Sequence, residues 1–166
     1  MADKKQKDYG KPAAPKRASE VPGWEKEADV VIVGLGGAGA CAASEARKAG
    51  ASVIVLESAW KGGGTSALAS GQLYLGGGTA LQKACGFDDT SDEMYAFLMA
   101  ACGPGPDAAK IRAFCDDSVA HFHWLVEQGV PFKESFYPEP GMEAPTDDCL
   151  VYSGGEDAHP FAEIAK

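Results

Sequence analysis

The run Asp29-Val30-Val31-Ile32-Val33-Gly34-Leu35-Gly36-Gly37-Ala38-Gly39 constrains this chain more than any other stretch. Its opening β-branched residues suit a strand buried on both faces. A glycine then ends the strand in a tight turn, and a small-residue helical pattern follows. Gly34, Gly36 and Gly39 stand at the G-x-G-x-x-G spacing, and each has its own task in a dinucleotide-binding turn. Gly34 bends the chain, Gly36 lets the backbone approach a pyrophosphate, and Gly39 lets the helix pack closely on the strand. Gly37 and Ala38 lie within the same turn, and the helix after it presents free N–H groups and a partial positive charge to phosphate.

Glycine-rich turns are common, so the spacing alone says little. The next eighteen residues strengthen it. A helix is predicted over residues 40–49, ending at Gly50 as its C′ residue, and a second strand over residues 52–56. That strand delivers Glu57 eighteen residues after Gly39, where a carboxylate can accept a hydrogen bond from a ribose 2′-hydroxyl. The bland alternative is a βαβ unit with an exposed glutamate. Turn, helix, strand and acid together imply a site for an adenine dinucleotide.

The 166 residues fit one domain of ordinary size. Seven of the fifteen Lys and Arg fall within residues 1–27, leaving eight basic against nineteen acidic residues beyond, a net charge of −11 there. Such a surface offers nothing to hold a nucleic-acid backbone. Five scattered cysteines, with no C-x-x-C pair, are read as reduced thiols in a cytoplasmic compartment. The N-terminus has no apolar signal core, and no apolar run reaches transmembrane length.

Residues 1–27 read as a disordered, basic, proline-rich tail. The loop Gly62-Gly63-Gly64-Thr65-Ser66 either delivers a short helix with a hydroxyl N-cap and a second anion site or is a flexible surface loop. Gln72-Leu73-Tyr74-Leu75 is a short strand candidate, and residues 79–84 a helical turn or two. Thr90-Ser91-Asp92-Glu93 has capping-box form and opens a helix over residues 91–102. Asp107 caps the next, whose apolar stripe is Ile111, Phe114, Cys115, Val119, Phe122, Leu125 and Val126, with an end at Gly129. His121 and His123 lie about 200° apart on that helix, so they do not share a metal, and no metal site is expected. Phe132, Phe136 and Tyr137 are read as loop anchors, the other possibility being a pocket lining. Residues 150–155 suggest a short strand and turn, and residues 161–166 begin a helix that the sequence abandons, as a truncated chain would.

Asp29 to Gly39, Glu57, Gly62 to Ser66 and Gly71 together resemble flavoproteins of the fumarate reductase and 3-ketosteroid dehydrogenase superfamily. Tyr74-Leu75-Gly76-Gly77-Gly78-Thr79, Asp92-Glu93-Met94-Tyr95, Phe122-His123-Trp124-Leu125 with Gly129-Val130-Pro131-Phe132, and Tyr152-Ser153-Gly154 look most like the 3-oxosteroid dehydrogenase branch. The resemblance implies an α/β, Rossmann-like FAD-binding domain with a parallel sheet, incomplete relative to the family. Residues 28–166 would form its N-terminal part, with 131–166 leading toward a missing substrate-capping domain. It further implies FAD in the glycine turn and the adenosine ribose on Glu57. Ala38, Ser58, Lys61, Gly64, Thr65, Ser66, Ser70 and Gly71 would lie along the pyrophosphate, ribityl chain and flavin.

Two departures stand out. Succinate dehydrogenase-like members carry a flavin-linked histidine where this chain reads Thr65-Ser66, so the FAD is expected to be non-covalent. Many relatives have a second glycine after Gly71, where this chain has Gln72. The implied reaction is hydride transfer between a substrate C–C bond, in a steroid-like ketone, and the flavin, with an electron acceptor the residues do not indicate. Tyr137 lies roughly where some steroid 1-dehydrogenases carry a substrate-facing tyrosine, in a poorly matching context, and no residue is assigned as catalytic. The rival enzyme reading, a fumarate reductase-like flavoprotein, needs arginines to clamp carboxylates, and only Arg17, Arg47 and Arg112 are present. The rival from another class is a non-catalytic FAD- or nucleotide-binding module, and the chain alone is expected to be inactive.

Overall fold

A computed structural model describes residues 14–141 and 143–164. Of the expected basic tail, residues 1–13 lie outside the described residues. Within the remainder of that tail a 3₁₀ turn forms at Ala18–Glu20, local order the composition did not suggest. The chain divides into two compact units, residues 1–70 and 71–166.

In the first unit, β1 (Val30–Val33) and β2 (Val53–Leu56) pair in parallel, with Val30 opposite Val53 and Val33 opposite Leu56. Helix α1 (Gly37–Lys48) connects them and packs on both strands. It starts three residues before the predicted helix because Gly36 already serves as its N-cap. Its end is as expected, with Gly50 in the left-handed region at φ 88°. The expectation of a strand buried on both faces is corrected. Ile32 faces the helix, its Cγ2 3.4 Å from where a Cβ on Gly39 would sit, while Val31 and Val33 are 56% and 85% exposed. One helix covers one face of two strands, so burial alternates along β1.

Asp29 and Ser52 clasp the two strand starts. Asp29 Oδ2 accepts from the Ser52 N–H at 2.8 Å and from its hydroxyl at 2.6 Å, and Ser52 Oγ accepts from the Asp29 N–H at 2.9 Å. Ser52's hydroxyl, then its N–H, hold the Asp29 carboxyl below the usual range.

The second unit contains α2 (Ala80–Ala84), α3 (Ser91–Ala101), α4 (Ala108–Glu127) and α5 (Phe161–Ile164). The N-caps read from the sequence form, but the capping box at Thr90 does not close, because the Thr90 N–H donates to Asp89 Oδ1 at 2.8 Å rather than to Glu93. Thr90 accepts from the Glu93 N–H and Asp107 from the Lys110 N–H. α3 packs against α4 and α5, and among the described residues Leu81, Met94, Cys115 and Phe122 are the buried apolar ones. The stripe on α4 is narrower than predicted. Phe114 and Val126 are 42% and 46% exposed, while Ser118 is buried.

Two expected strands are corrected. Gln72 to Leu75 forms none, and around Leu150 there is one parallel bridge to Phe136. Both stretches have β-forming residues, but among the described residues of this unit no run of strand lies beside them to complete a ladder. The last helix ends at Ile164, and residues 165–166 of the predicted span lie outside the described residues.

The buried Ser118 has a reason. Gly76, Gly77, Gly78 and Thr79 offer four successive N–H groups, and side chains accept all four. Ser118 Oγ takes Gly76 at 3.0 Å, Asp89 Oδ2 takes Gly77 at 2.7 Å, and Gln82 Oε1 takes Gly78 and Thr79 at 3.1 and 2.9 Å. Ser118→Ala would strand the buried Gly76 N–H, a loss of about 1–3 kcal/mol. The expected result is a lower urea midpoint at unchanged slope. An unchanged midpoint would mean that water reaches that amide.

Candidate dinucleotide-binding site

The three glycines of the fingerprint have different neighbours. Gly34 holds φ at 98°, a conformation L side chains rarely adopt. A Cβ on Gly39 would lie 2.0 Å from the Gly34 carbonyl oxygen, so α1 meets β1 at this distance only with glycine there. Gly36 differs from both. Its φ of −88° suits any residue, and a Cβ there would meet nothing within 4 Å. Nothing among the described residues demands glycine at 36, and the space a side chain would fill is open to a ligand.

Gly36 caps a twelve-residue helix without a side-chain acceptor, so the partial positive charge of α1 is exposed at the turn. The N–H groups of Gly36, Ala38 and Gly39 have no acceptor among the described residues, which is what a pyrophosphate requires. The turn is tied on its other sides. The Gly34 N–H donates to the Leu56 carbonyl at 2.7 Å, and the Gly63 N–H to the Leu35 carbonyl at 2.6 Å.

Glu57 sits directly after β2, as the sequence indicates. Its Oε2 accepts from the Leu35 N–H at 2.8 Å, and its Oε1 from the Ala59 N–H at 2.7 Å. The Ala59 and Leu35 N–H groups, in that order, hold its carboxyl below the usual range, so it is a carboxylate at neutral pH. Ser58 Oγ lies 3.5 Å from the same carboxylate.

The expected hydroxyl cap is corrected. A 3₁₀ helix forms at Gly64–Leu68, with Gly63 as its N-cap and no side-chain cap bond. Thr65 and Ser66 lie inside it, because the backbone turns at the glycines before reaching them. Ser66 Oγ instead accepts from the Gly37 N–H at 3.2 Å, a link across 29 positions that no local motif announces. Gly64 lies close against the turn, its Cβ direction 3.4 Å from Gly36 Cα. Lys61 is exposed, its Nζ 4.9 Å from the centre of the Trp60 ring. Ser70 is exposed at the end of the first unit, and Gly71 opens the second. The first unit thus brings Glu57, Gly64 and Ser66 up against the glycine turn.

Two of the three arginines are occupied. Arg112 donates to Asp92, Asp116 and the Ser91 carbonyl, and Arg47 to the Ala51 carbonyl. His121 and His123 pack edge-on against Trp124 and Phe122. Among the described residues no cluster of three His, Cys, Asp or Glu is placed to hold a metal ion, and no helix is long and apolar enough to cross a membrane.

Within the second unit is a cavity of 660 Å³ whose lining includes Tyr74, Phe97, Phe122, Phe132, Phe136 and Tyr152. The reading of Phe132 and Phe136 as anchors alone is therefore incomplete. Phe132 packs on Phe122 at 4.8 Å and Phe136 on Phe87 at 4.8 Å, and both also line the cavity. Burial, then the Glu156 carboxylate, push the Tyr74 phenol up to about 12, so it keeps its proton at neutral pH.

The FAD binding domain family matches the chain over residues 29–159, and the chain belongs to that family. Several of its relatives act on steroids by name. The 3-oxo-5-alpha-steroid 4-dehydrogenase of Comamonas testosteroni is 37% identical over 139 residues, covering 80% of this chain and 25% of that protein. The 3-oxosteroid 1-dehydrogenase of Mycolicibacterium smegmatis is 32% identical over 127 residues, covering 73% and 22%. The crystal structure of the 3-ketosteroid-delta4-(5alpha)-dehydrogenase from Rhodococcus jostii RHA1, in complex with 4-androstene-3,17-dione, has a TM-score of 0.84 at 59% identity. That match covers 91% of this chain and 31% of the other. The chain spans about a quarter of the length of the relatives it matches by sequence. The resemblance to the 3-oxosteroid dehydrogenase branch is borne out.

Proposed function

We propose that this chain is the FAD-holding part of a flavin-dependent oxidoreductase acting on a C–C bond activated by a ketone, with 3-ketosteroids as the substrate class. The observation that carries this reading is the 59% identity, at a TM-score of 0.84, to a dehydrogenase solved with 4-androstene-3,17-dione. The β1–α1–β2 unit is then the opening of a Rossmann-like domain over residues 28–166, with residues 131–166 leading toward a substrate-capping region. The open space at Gly36 and the free N–H groups of Ala38 and Gly39 fit the pyrophosphate. Each Glu57 oxygen keeps a lone pair beyond its backbone bond, which fits a ribose hydroxyl. Ser58, Lys61, Gly64, Thr65, Ser66, Ser70 and Gly71 are then placed along the pyrophosphate, ribityl chain and flavin. Thr65 cannot form the histidyl link of succinate dehydrogenase-like relatives, so the FAD is non-covalent. The unpaired state of all five cysteines agrees with a cytoplasmic setting.

Bound FAD supplies a two-electron carrier for hydride. The part of this chain is to bind and orient it through the turn, the ribose acid and the exposed end of α1. Arg112 and Arg47 are already committed to acids and carbonyls, which disfavours a dicarboxylate clamp built from this chain.

The cofactor reading is tested by titrating the purified chain with FAD and following flavin fluorescence. FAD in excess should bind, but not tightly, NAD should not compete, and acid precipitation of the loaded chain should leave the flavin in the supernatant. Flavin retained in the precipitate would overturn the non-covalent attachment, and preference for NAD would overturn FAD. For the substrate class, residues 28–166 are exchanged into the Rhodococcus jostii enzyme. The chimaera should load FAD and reduce a dye with the 4,5-saturated counterpart of 4-androstene-3,17-dione as the electron donor. A flavin-loaded chimaera inert to it would end the steroid reading while sparing the cofactor.

A further inference from the structure

The five N–H groups from Leu35 to Gly39 fall into two sets. Leu35 donates to Glu57 Oε2 at 2.8 Å and Gly37 to Ser66 Oγ at 3.2 Å. Gly36, Ala38 and Gly39 have no acceptor among the described residues. Glu57 bridges further, since its second oxygen accepts from the Ala59 N–H at 2.7 Å. One carboxylate therefore fastens the glycine turn to the residues just beyond β2.

We propose that Glu57 and Ser66 are positioning residues of the turn. By taking the Leu35 and Gly37 N–H groups in the ligand-free chain, they fix the backbone shape in which the remaining three are available to a pyrophosphate. The link to the cofactor rests on the FAD reading, whereas the anchoring belongs to the chain without ligand. The chemistry at position 57 is specific. Both partners are donors, and only a carboxylate presents an acceptor to each. Glutamine has one acceptor oxygen and would turn its NH₂ against the other N–H. An ionised acceptor also makes both bonds stronger than neutral ones. A turn held this way loses little ordering entropy when a dinucleotide arrives.

Amide hydrogen exchange, followed by NMR on the ligand-free 166-residue chain, tests it. In the native chain the Leu35 and Ala59 amides, which lie in neither helix nor strand, should be protected, and the Gly36 amide should not. Glu57→Gln should speed exchange of Leu35 or of Ala59, whichever N–H loses its acceptor, roughly tenfold to a hundredfold while amides within the β1–β2 ladder keep their protection. Ser66→Ala should do the same, more weakly, at Gly37. If exchange of both Leu35 and Ala59 is unchanged in Glu57→Gln while FAD affinity falls, Glu57 serves the ribose alone and the anchoring role is wrong. If Glu57→Gln loses ladder protection as well, the native chain decides, since equal protection of Leu35 and Gly36 there overturns the role. Failure of the native chain to bind FAD, with Leu35 still protected, would strike the cofactor reading and leave the anchoring intact.

Discussion

Gly39→Ala is expected to lower the stability of the first unit by about 2–4 kcal/mol, a large effect for one methyl group. The methyl carbon would lie 2.0 Å from the Gly34 carbonyl oxygen and 3.1 Å from its carbon. Ordinary C···O approaches are roughly 3.3 Å, so backbone must move by over an ångström. Gly34 has little freedom to yield, because its φ is 98° and its N–H is bonded to Leu56 at 2.7 Å. The helical propensity gained over glycine, about 1 kcal/mol, does not offset the clash. Gly36→Ala is the control. Its φ of −88° and open surroundings predict a stability change within about 0.5 kcal/mol, with the loss falling on FAD affinity instead. Denaturant unfolding and FAD titration of the two variants separate the roles. Equal stability of Gly39→Ala and the parent would mean that α1 does not approach β1 as described.

Phe122→Ala is expected to cost the second unit about 3–5 kcal/mol, comparable to a good part of a small domain's whole stability. Phe122 is 5% exposed on α4, and its ring lies 4.8 Å from that of Phe132. Truncation removes the platform on which the segment after α4 rests. The neighbouring cavity of 660 Å³, which Phe122 also lines, leaves room for partial collapse and favours the lower end of the range. Phe122→Leu keeps most of the volume and should lose less than about 1.5 kcal/mol. Urea unfolding of both variants checks this. A cost below about 1 kcal/mol for the alanine would show that Phe132 repacks without its partner.

The sequence exposes what is local. The glycine turn is legible because Gly34 and Gly39 each answer a steric demand within a few residues. The starts of α3 and α4 are legible because Thr90 and Asp107 bond N–H groups three positions on. What stays hidden is side chain meeting distant backbone. Ser66 reaches Gly37 across 29 positions, Asp29 pairs with Ser52 across 23, and Ser118 meets Gly76 across 42. No periodicity encodes such pairs. The error at Gln72 to Leu75 has the same root, since β-propensity is read from one strand and a ladder needs two. Glu57 is legible as an acid at the end of β2, but its two backbone bonds are not.

The first unit closes over short stretches of chain. Its ties run from Asp29 to Ser52, Leu35 to Glu57 and Gly37 to Ser66, none spanning more than 29 positions. Contacts of such short span form quickly, and a chain leaving the ribosome delivers its N-terminal residues first, at about 5–20 per second. Every partner the glycine turn uses has therefore been synthesised before residue 71 is added. The turn can take its shape while the helices beyond it are still being made.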